Sequence, residues 1–156
     1  MPHLVSIAYR PADIEQRPED HYARVAVERA TLIEGRGIAG DTKGTGGKRQ
    51  LNVMLAEAVY GLRAEGFRTA PGELGEQLVI AGLEPGLLAP GARLRLGEAA
   101  VIEVTIPRTP CSRFEHIQGK PIKAAWGKIG VMARVVCGGE IAVGAEIAVL
   151  VKGDSE

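Results

Sequence analysis

Short apolar segments, each bounded by glycine or proline, constrain the fold of this chain more than any other feature. The 156 residues include 21 glycines and nine prolines, which punctuate the sequence from end to end. Such spacing is typical of many short strands joined by tight turns. We therefore predict a mainly β (β-rich α+β) fold whose strands span residues 4–9, 25–33, 51–55, 78–80, 93–96, 100–106, 131–136 and 147–151.

Two six-residue segments repeat one pattern and favour a curved sheet. Residues 91–96 and 144–149 both read Gly-Ala-charged-aliphatic-x-aliphatic, so each is expected to open a strand after a glycine turn. Two copies are too few for a repeat protein, but they fit strands that enter one barrel. Three short helices are predicted at residues 56–65, 109–117 and 121–126, where proline or glycine marks a boundary.

The length and composition favour one domain over residues 1–156, because a chain of this size buries a sizeable core without disulfides. The two cysteines have neither a CxxC nor a zinc-binding spacing, so no zinc is expected. Aromatic residues make up only 4% of the chain, which argues against a nucleic-acid surface. No secretory signal and no membrane-length apolar run is visible, so we expect a cytoplasmic protein. Residues 10–22 are a polar loop or arm.

Positive charge is concentrated in two segments although the net charge of the chain is zero. Residues 36–63 carry five basic and two acidic side chains, and residues 105–134 carry six and one. Two cationic segments in an otherwise acidic chain indicate a local pocket for a small anion. The alternative interpretation is the ordinary fluctuation of charge along a protein surface.

Cys111 stands where a β-rich stretch ends and a helix is expected to begin. Thr109 fits an N-cap, with Pro110 in the first helical position, where its missing N–H costs nothing. The other candidate cap is Ser112, with Glu115 three residues later to complete a capping box. Both interpretations place Cys111 within one turn of a helix N-terminus, where the helix dipole favours an anion.

The cations beside Cys111 distinguish this thiol from a structural cysteine. Arg108 and Arg113 flank it, and this environment favours a thiolate that can attack, carry sulfur or ligate a soft metal. Cys137, between valines and glycines, is predicted to pack in the interior at a strand end. His116 lies five residues after Cys111, so a helix would point the two side chains apart.

A glycine-rich loop precedes the strand predicted at residues 51–55. Residues 35–40 match GxGxxG literally, but no helix can begin in the glycine-rich stretch that follows, so NAD binding is not expected. What remains is a loop ending in Lys48, Arg49 and Gln50, whose cations can hold an oxyanion. An ordinary long hairpin loop is the alternative. The nearby acids Glu73 and Glu76 are predicted to be solvated.

Five motifs occur in an order that resembles the MOSC domain, a family named after the C-terminal region of molybdenum-cofactor sulfurase. The similarity extends over about residues 25–150 and implies a MOSC-type β-barrel with a few short helices. It also implies a stand-alone protein that binds a molybdopterin-type cofactor or carries sulfur for it. The motifs lie at residues 38–41, 49–50, 75–78, 91–96 and 107–111.

The resemblance also implies roles for individual residues. Cys111 matches the family's sulfur carrier or molybdenum ligand, so it is the expected catalytic residue and, if molybdenum binds, the metal ligand. Two departures stand out: Thr42 and Lys43 replace the histidine often found after the Gly-Asp pair, and Gln77 replaces an asparagine. The residues expected to bind the cofactor are Lys48, Arg49, Gln50, Arg108, Thr109, Ser112 and Asp41.

Three functions remain open at this stage. An enzyme would use the cofactor in molybdenum-dependent reduction of N-hydroxylated compounds, whereas a carrier would hold a cofactor or persulfide and hand it on. A third possibility is a small-anion binder in which Cys111 is structural. The first two require an external electron donor or sulfur donor protein, because the sequence has no domain for either task. A homodimer is the commonest oligomer on general grounds.

Overall fold

A computed structural model describes residues 1–43 and 46–153 and confirms a mainly β fold. Two α-helices, α1 (Ala56–Ala64) and α2 (Ser112–Gln118), accompany the strands. Single 3-10 turns occur at Gly47–Arg49, Pro85–Leu87 and Ile122–Ala124. The strands are β1 (His3–Tyr9), β2 (Val25–Val27), β3 (Arg29–Ile33), β4 (Gly37–Ile38), β5 (Leu51–Leu55), β6 (Leu78–Ala81), β7 (Arg93–Leu96), β8 (Ala100–Pro107), β9 (Val131–Cys137), β10 (Gly139–Ala142) and β11 (Ile147–Val151).

The large sheet has eight strands in the order β11-β7-β8-β9-β5-β6-β1-β2, and the small sheet has the order β10-β3-β4. Among the described strands, only β5 and β6 pair in parallel, and α1 is the crossover that this pairing requires. The two ends of the large sheet approach each other without forming a continuous ladder. There the N–H of Leu4 donates to the carbonyl of Ala145 (2.9 Å), and the N–H of Ile147 donates to that of Pro2 (2.9 Å).

The two matching hexamers become neighbours in this sheet. They lead into β7 and β11, which pair antiparallel with Ile147 opposite Leu96 and Val149 opposite Leu94. The expectation of two strands in one curved sheet is therefore confirmed.

The core consists of two apolar clusters on opposite faces of the large sheet. β5 is buried along its whole length because it contributes to both: Leu51, Val53 and Leu55 belong to the cluster inside the curved sheet. Met54 points the other way, into the cluster that also contains Phe114 of α2. Burial of an aliphatic side chain of this size stabilises the fold by about 1.5–3 kcal/mol. α2, which follows Cys111, is thus anchored by the second cluster.

One predicted strand was wrong, and two strands were missed. The predicted strand at 25–33 is divided, since β2 pairs with β1 whereas β3 pairs with β10 and β4. Strands β4 and β10 were missed because they are short and begin with glycine, which normally weakens a strand. At Gly139 the reason is a close approach: a side-chain carbon there would lie 3.0 Å from the backbone nitrogen of Ala100.

The predicted helices occur at the expected places in the sequence, but their caps and lengths differ from the prediction. α1 confirms the helix predicted at 56–65, but α2 begins at Ser112 with Cys111 itself as the N-cap, because the chain stays extended through Cys111 (φ −126°, ψ 178°). Neither predicted cap forms, and the carboxylate of Glu115 accepts a bond from the N–H of Ile122 (2.9 Å) instead of completing a capping box. The predicted third helix is only a 3-10 turn. In the described parts of the chain, no helix has the length and apolar character needed to span a membrane.

We predict that Gly130→Ala lowers the free energy of unfolding by about 3 kcal/mol or more, because the added carbon would lie 2.1 Å from the carbonyl oxygen of Val53. Gly119→Ala is the matched control. Gly119 also has a positive φ (+67°), but nothing lies within 4 Å of the added carbon, so a loss of about 1–2 kcal/mol is expected. Urea unfolding measures both variants, and equal losses would contradict the close packing of β5 against the turn before β9.

Candidate functional site

Cys111 is exposed, and it follows a buried arginine by three residues. Arg108 is only 7% exposed and leaves the end of β8, where its N–H donates to the carbonyl of Gly130 (3.0 Å). Its guanidinium carbon lies 5.8 Å from the centre of the Phe114 ring of α2. The segment between β8 and α2 therefore holds one end of the site inside the protein and leaves the thiol open to solvent.

Side chains from distant parts of the sequence converge on Gly75. Its carbonyl accepts bonds from Nη2 of Arg24 (3.2 Å) and from Nδ2 of Asn52 (3.0 Å). A side-chain carbon at this position would lie 2.7 Å from Nη2 of Arg108 and 3.1 Å from the ring of Tyr22. Glycine is needed here both for its positive φ (+80°) and for this close approach.

Lys43 joins the two arginines. Burial lowers the pKa of Lys43 to about 8, and repulsion from Arg24 and Arg108 contributes to the shift while Asp41 opposes it. The Nζ atom of Lys43 donates to the carbonyl of Arg49 (2.9 Å), and the charge of Arg49 lowers the same pKa. The four cations are Arg24, Lys43, Arg49 and Arg108, and each of the three arginines is close enough to Lys43 to act on its charge. We call them the cation cluster.

Three polar atoms near Gly75 are buried without a hydrogen-bond partner in the described structure. They are Nη1 of Arg108, Nε of Arg24 and Oδ1 of Asn52. No carboxylate within 4.0 Å forms an ion pair with either arginine among the described residues. A bound oxyanion would accept hydrogen bonds from the two arginine donors, and an N–H group of the same ligand would donate to the asparagine oxygen.

Glu76 offsets the charge of the cluster only in part and forms no ion pair with it, and the prediction that Glu76 is solvated was wrong. It is only 2% exposed, and its carboxylate accepts bonds from the N–H groups of Gly72 (2.8 Å) and Leu74 (3.1 Å). Burial raises the pKa of Glu76, while these backbone bonds and the charge of Arg108 oppose the shift. The acid supports the turn that leads to Gly75.

Two of the predicted cofactor contacts have side chains that are already bonded within the protein. Asp41 accepts from the N–H groups of Arg10 and Lys43 (both 3.1 Å) and from Nε2 of Gln77 (3.0 Å). Gln77 in turn accepts from the N–H of Asn52 (2.7 Å), so this amide links the loop of Lys43 to β5. The side chain of Asp41 thus orders the loop that carries Lys43.

Gln50 has a similar framework role. Its Nε2 donates to the carbonyl of Gly47 (2.7 Å), and its Oε1 accepts from the N–H of Val135 (2.8 Å). Lys48 is exposed and lines a separate cleft of about 590 Å³ with Glu103 and Arg134. The backbone carbonyl of Arg49 therefore holds Lys43, while the exposed Lys48 lines another surface. Gly44 and Thr45 of the glycine-rich loop lie outside the described residues.

The remaining predicted residues are exposed at the surface. Thr109 and Ser112 are exposed beside Cys111. Cys137 was predicted to pack in the interior, and this was wrong: it ends β9 as expected but is exposed, and it lies beyond a shift in the pairing of β9 with β8, where Val135 faces Ile102 and Cys137 faces Val101. His116 is exposed and lies 3.8 Å from the carboxylate of Glu19.

Sequence reasoning missed four residues of the site: Tyr22, Arg24, Lys43 and Asn52. Only Lys43 had a usable signal, since it lies in a cationic segment and departs from the family's histidine. Burial raises the pKa of Tyr22, while the charge of Arg108 opposes the shift, so the phenol is neutral. Within the described residues, no group of three His, Cys, Asp or Glu side chains is arranged to hold a metal ion.

A family model described as MOSC domain matches residues 41–148. The match covers more than half of the chain, so the protein belongs to the MOSC domain family, which is associated with functions related to the molybdenum cofactor. A comparison with curated protein sequences finds no match.

Solved structures agree with this fold. YiiM from Geobacillus stearothermophilus is 25% identical, with a TM-score of 0.71 over 97% of this chain and 76% of that one. YiiM from Escherichia coli is 23% identical, with a TM-score of 0.70 over 97% and 71%. The YUAD protein from Bacillus subtilis is 18% identical, with a TM-score of 0.75 over 94% of both chains. The last two similarities concern the fold alone.

We predict that Lys43→Met stabilises the protein below pH 8 by up to about 2 kcal/mol, a value reduced for partial exposure. The pKa of Lys43 is about 8 in the folded state and 10.5 in the reference state, so the charged amine penalises folding most at low pH. The penalty disappears as the pH rises from about 8 to 10.5, and the advantage of the variant shrinks with it. Urea unfolding across this range measures the effect. The exposed Lys123→Met is the control, and a parallel profile for the two variants would contradict the placement of Lys43.

Proposed function

We propose that this protein binds a molybdopterin-type cofactor by its anionic group at the cation cluster, with Cys111 at the reactive end. The observation that carries the proposal is Arg108, a buried guanidinium with an unpartnered Nη1 atom and no ion-paired carboxylate among the described residues. Burying such a charge is costly, and an oxyanion would offset the cost through charge-assisted hydrogen bonds.

The orphaned atoms fit the chemistry of this cofactor class. A phosphate supplies acceptors for Nη1 of Arg108 and Nε of Arg24. The buried Oδ1 of Asn52 is an acceptor that has no donor partner in the described structure. An N–H group of a pterin ring would supply that donor. The residues that would hold the group are therefore Arg24, Lys43, Arg49 and Arg108 for the anion and Asn52 for an N–H.

Cys111 has the access that a reactive thiol needs. When bound, the cofactor supplies a molybdenum centre in a soft sulfur environment, which a thiolate ligand suits. Cys111 lies three residues after Arg108, at the N-cap of the helix whose Phe114 ring contacts that guanidinium, so the thiol lies beside the cluster. Its exposure favours a ligand or sulfur-carrying role over a structural one and leaves it open to a donor protein. Two exposed free thiols also suit the reducing cytoplasm, where we place the protein.

Arg108→Gln is expected to weaken binding of inorganic phosphate and of molybdate at least tenfold, because a charge-assisted contact is worth about 1.5–3 kcal/mol. Isothermal titration of the full chain measures both anions. Arg134→Gln is the matched control, since Arg134 is a more exposed cation on β9 that is paired with Glu103. Equal affinities for the wild type and Arg108→Gln would disprove the anion site at this position.

Cys111→Ser is expected to remove bound molybdenum or persulfide from the freshly purified protein while leaving phosphate affinity unchanged, because the thiolate and the cation cluster serve different ends of the ligand. Elemental analysis and intact-mass measurement give the readouts. Cys137→Ser is the control, as the second exposed cysteine. If Cys111→Ser retains the metal or the persulfide in full, the role of Cys111 is wrong.

A turnover assay distinguishes an enzyme from a carrier protein. The loaded wild type is expected to reduce a hydroxylamine in the presence of an electron donor if the protein is an enzyme. A carrier would instead release its cofactor or sulfur to an acceptor protein without turnover. The same Cys111→Ser variant serves both assays.

A further inference from the structure

Tyr22 lies against the cations that the proposed anion would contact. The guanidinium carbons of Arg24 and Arg113 lie 5.7 and 5.5 Å from the centre of its ring. Burial lowers the pKa of Arg108, and the neighbouring Tyr22 opposes this shift. The two side chains are neighbours, since a side-chain carbon at Gly75 would lie 2.7 Å from Nη2 of Arg108 and 3.1 Å from the Tyr22 ring. The face of an aromatic ring carries partial negative charge, so this neutral side chain is a weak substitute for an anion.

Tyr22 ends a segment that is held mainly by polar contacts. At the start of this segment Arg10 donates to Asp41 and Thr42, and the hydroxyl of Thr42 donates to Gln16. The segment, residues 10–22, leaves β1 and leads towards β2, and we call it the strap. Nη2 of Arg113 donates to the carbonyls of Pro18 (2.9 Å) and His21 (3.3 Å), and Nη2 of Arg68 donates to that of Asp20 (2.9 Å). Pro18 is the one buried residue among those of the strap. Little apolar burial opposes movement of the strap away from the cluster.

We propose that Tyr22 gates the cation cluster: its phenol occupies the place of the ligand's oxyanion beside Arg108, and binding displaces the side chain together with the strap. This inference rests on the proposed function, because it assumes that an anion binds at Arg108. The inference makes Tyr22 a determinant of ligand specificity, since a ligand must bind the cation cluster more tightly than the neutral phenol does.

Displacement has a quantitative consequence for affinity. If the site accepts an anion only when Tyr22 has moved, the apparent dissociation constant equals the intrinsic one divided by the open fraction. Removing the phenol raises that fraction to one, and the lost contacts with Arg24, Arg108 and Arg113 together correspond to about a tenfold change in affinity.

An arrangement in which Tyr22 stays in place predicts a change of affinity in the opposite direction. If Tyr22 stays in place and the ligand packs on its ring, removing the ring loses a contact and weakens binding. Tyr22→Ala therefore distinguishes a gate from a stacking platform by the direction of the change alone.

The test is isothermal titration of inorganic phosphate into the full chain at neutral pH. Tyr22→Ala is expected to tighten binding about tenfold, and Tyr22→Phe, which removes only the hydroxyl, about two- to threefold. Tyr60→Ala is the matched control and is expected to bind like the wild type. Tyr60 also contacts an arginine, with Arg63 at 5.4 Å, but it lies on α1 away from the cluster.

The outcomes separate the gate from the proposed function. Unchanged or weaker binding by Tyr22→Ala overturns the gate, and if Arg108→Gln still abolishes that binding, the anion site stands. Binding by Tyr22→Ala but not by the wild type supports the gate strongly. Absence of binding in both overturns the gate and the anion site together. Hydrogen exchange is a second readout: phosphate should increase amide exchange in residues 10–22 of the wild type, and a decrease overturns the gate.

Discussion

The rest of the site depends on the burial of the Arg108 guanidinium, with which no carboxylate of the described residues forms an ion pair. Removing an arginine from water costs several kcal/mol unless its charge and its N–H groups are compensated. For Arg108 the compensation within the described structure is partial: the Phe114 ring, the neighbouring Tyr22 and the charge of Glu76, whose oxygens bond backbone N–H groups instead. Such an arrangement costs stability, and the oxyanion that we propose to bind here would supply the missing compensation.

The framework and the binding groups are different residues. Asp41, Gln50 and Gln77 make their side-chain bonds to the protein itself and fix the glycine-rich loop against β5 and β9. That rigidity holds Lys43 among the other cations, where the low dielectric and its neighbours lower its pKa to about 8. Cys111 stands outside this buried zone, at the exposed start of α2. One end of the site is therefore suited to holding a charged group, and the other is open to a protein or substrate.

Local patterns predicted the sheet, and tertiary contacts decided the site. The glycine-bounded alternation at 93–96 and the matching hexamers identified strands that do pair, because strand formation depends on neighbouring residues. The site depends on residues far apart in sequence: Arg24 and Gly75 are 51 positions apart and share a hydrogen bond. No spacing rule connects an arginine at the end of a loop with a turn that distant. The burial of Glu76 was missed for the same reason, since its partners are backbone N–H groups of a turn that the sequence does not reveal.

The most direct test is a crystal structure of the protein soaked with tungstate, an electron-dense oxyanion. We predict an anomalous peak within hydrogen-bonding distance of Nη1 of Arg108, with Arg24 and Lys43 around it. A peak found only in the cleft of Lys48 and Arg134, with none at Arg108, would contradict the assignment of the buried guanidinium as the anion site.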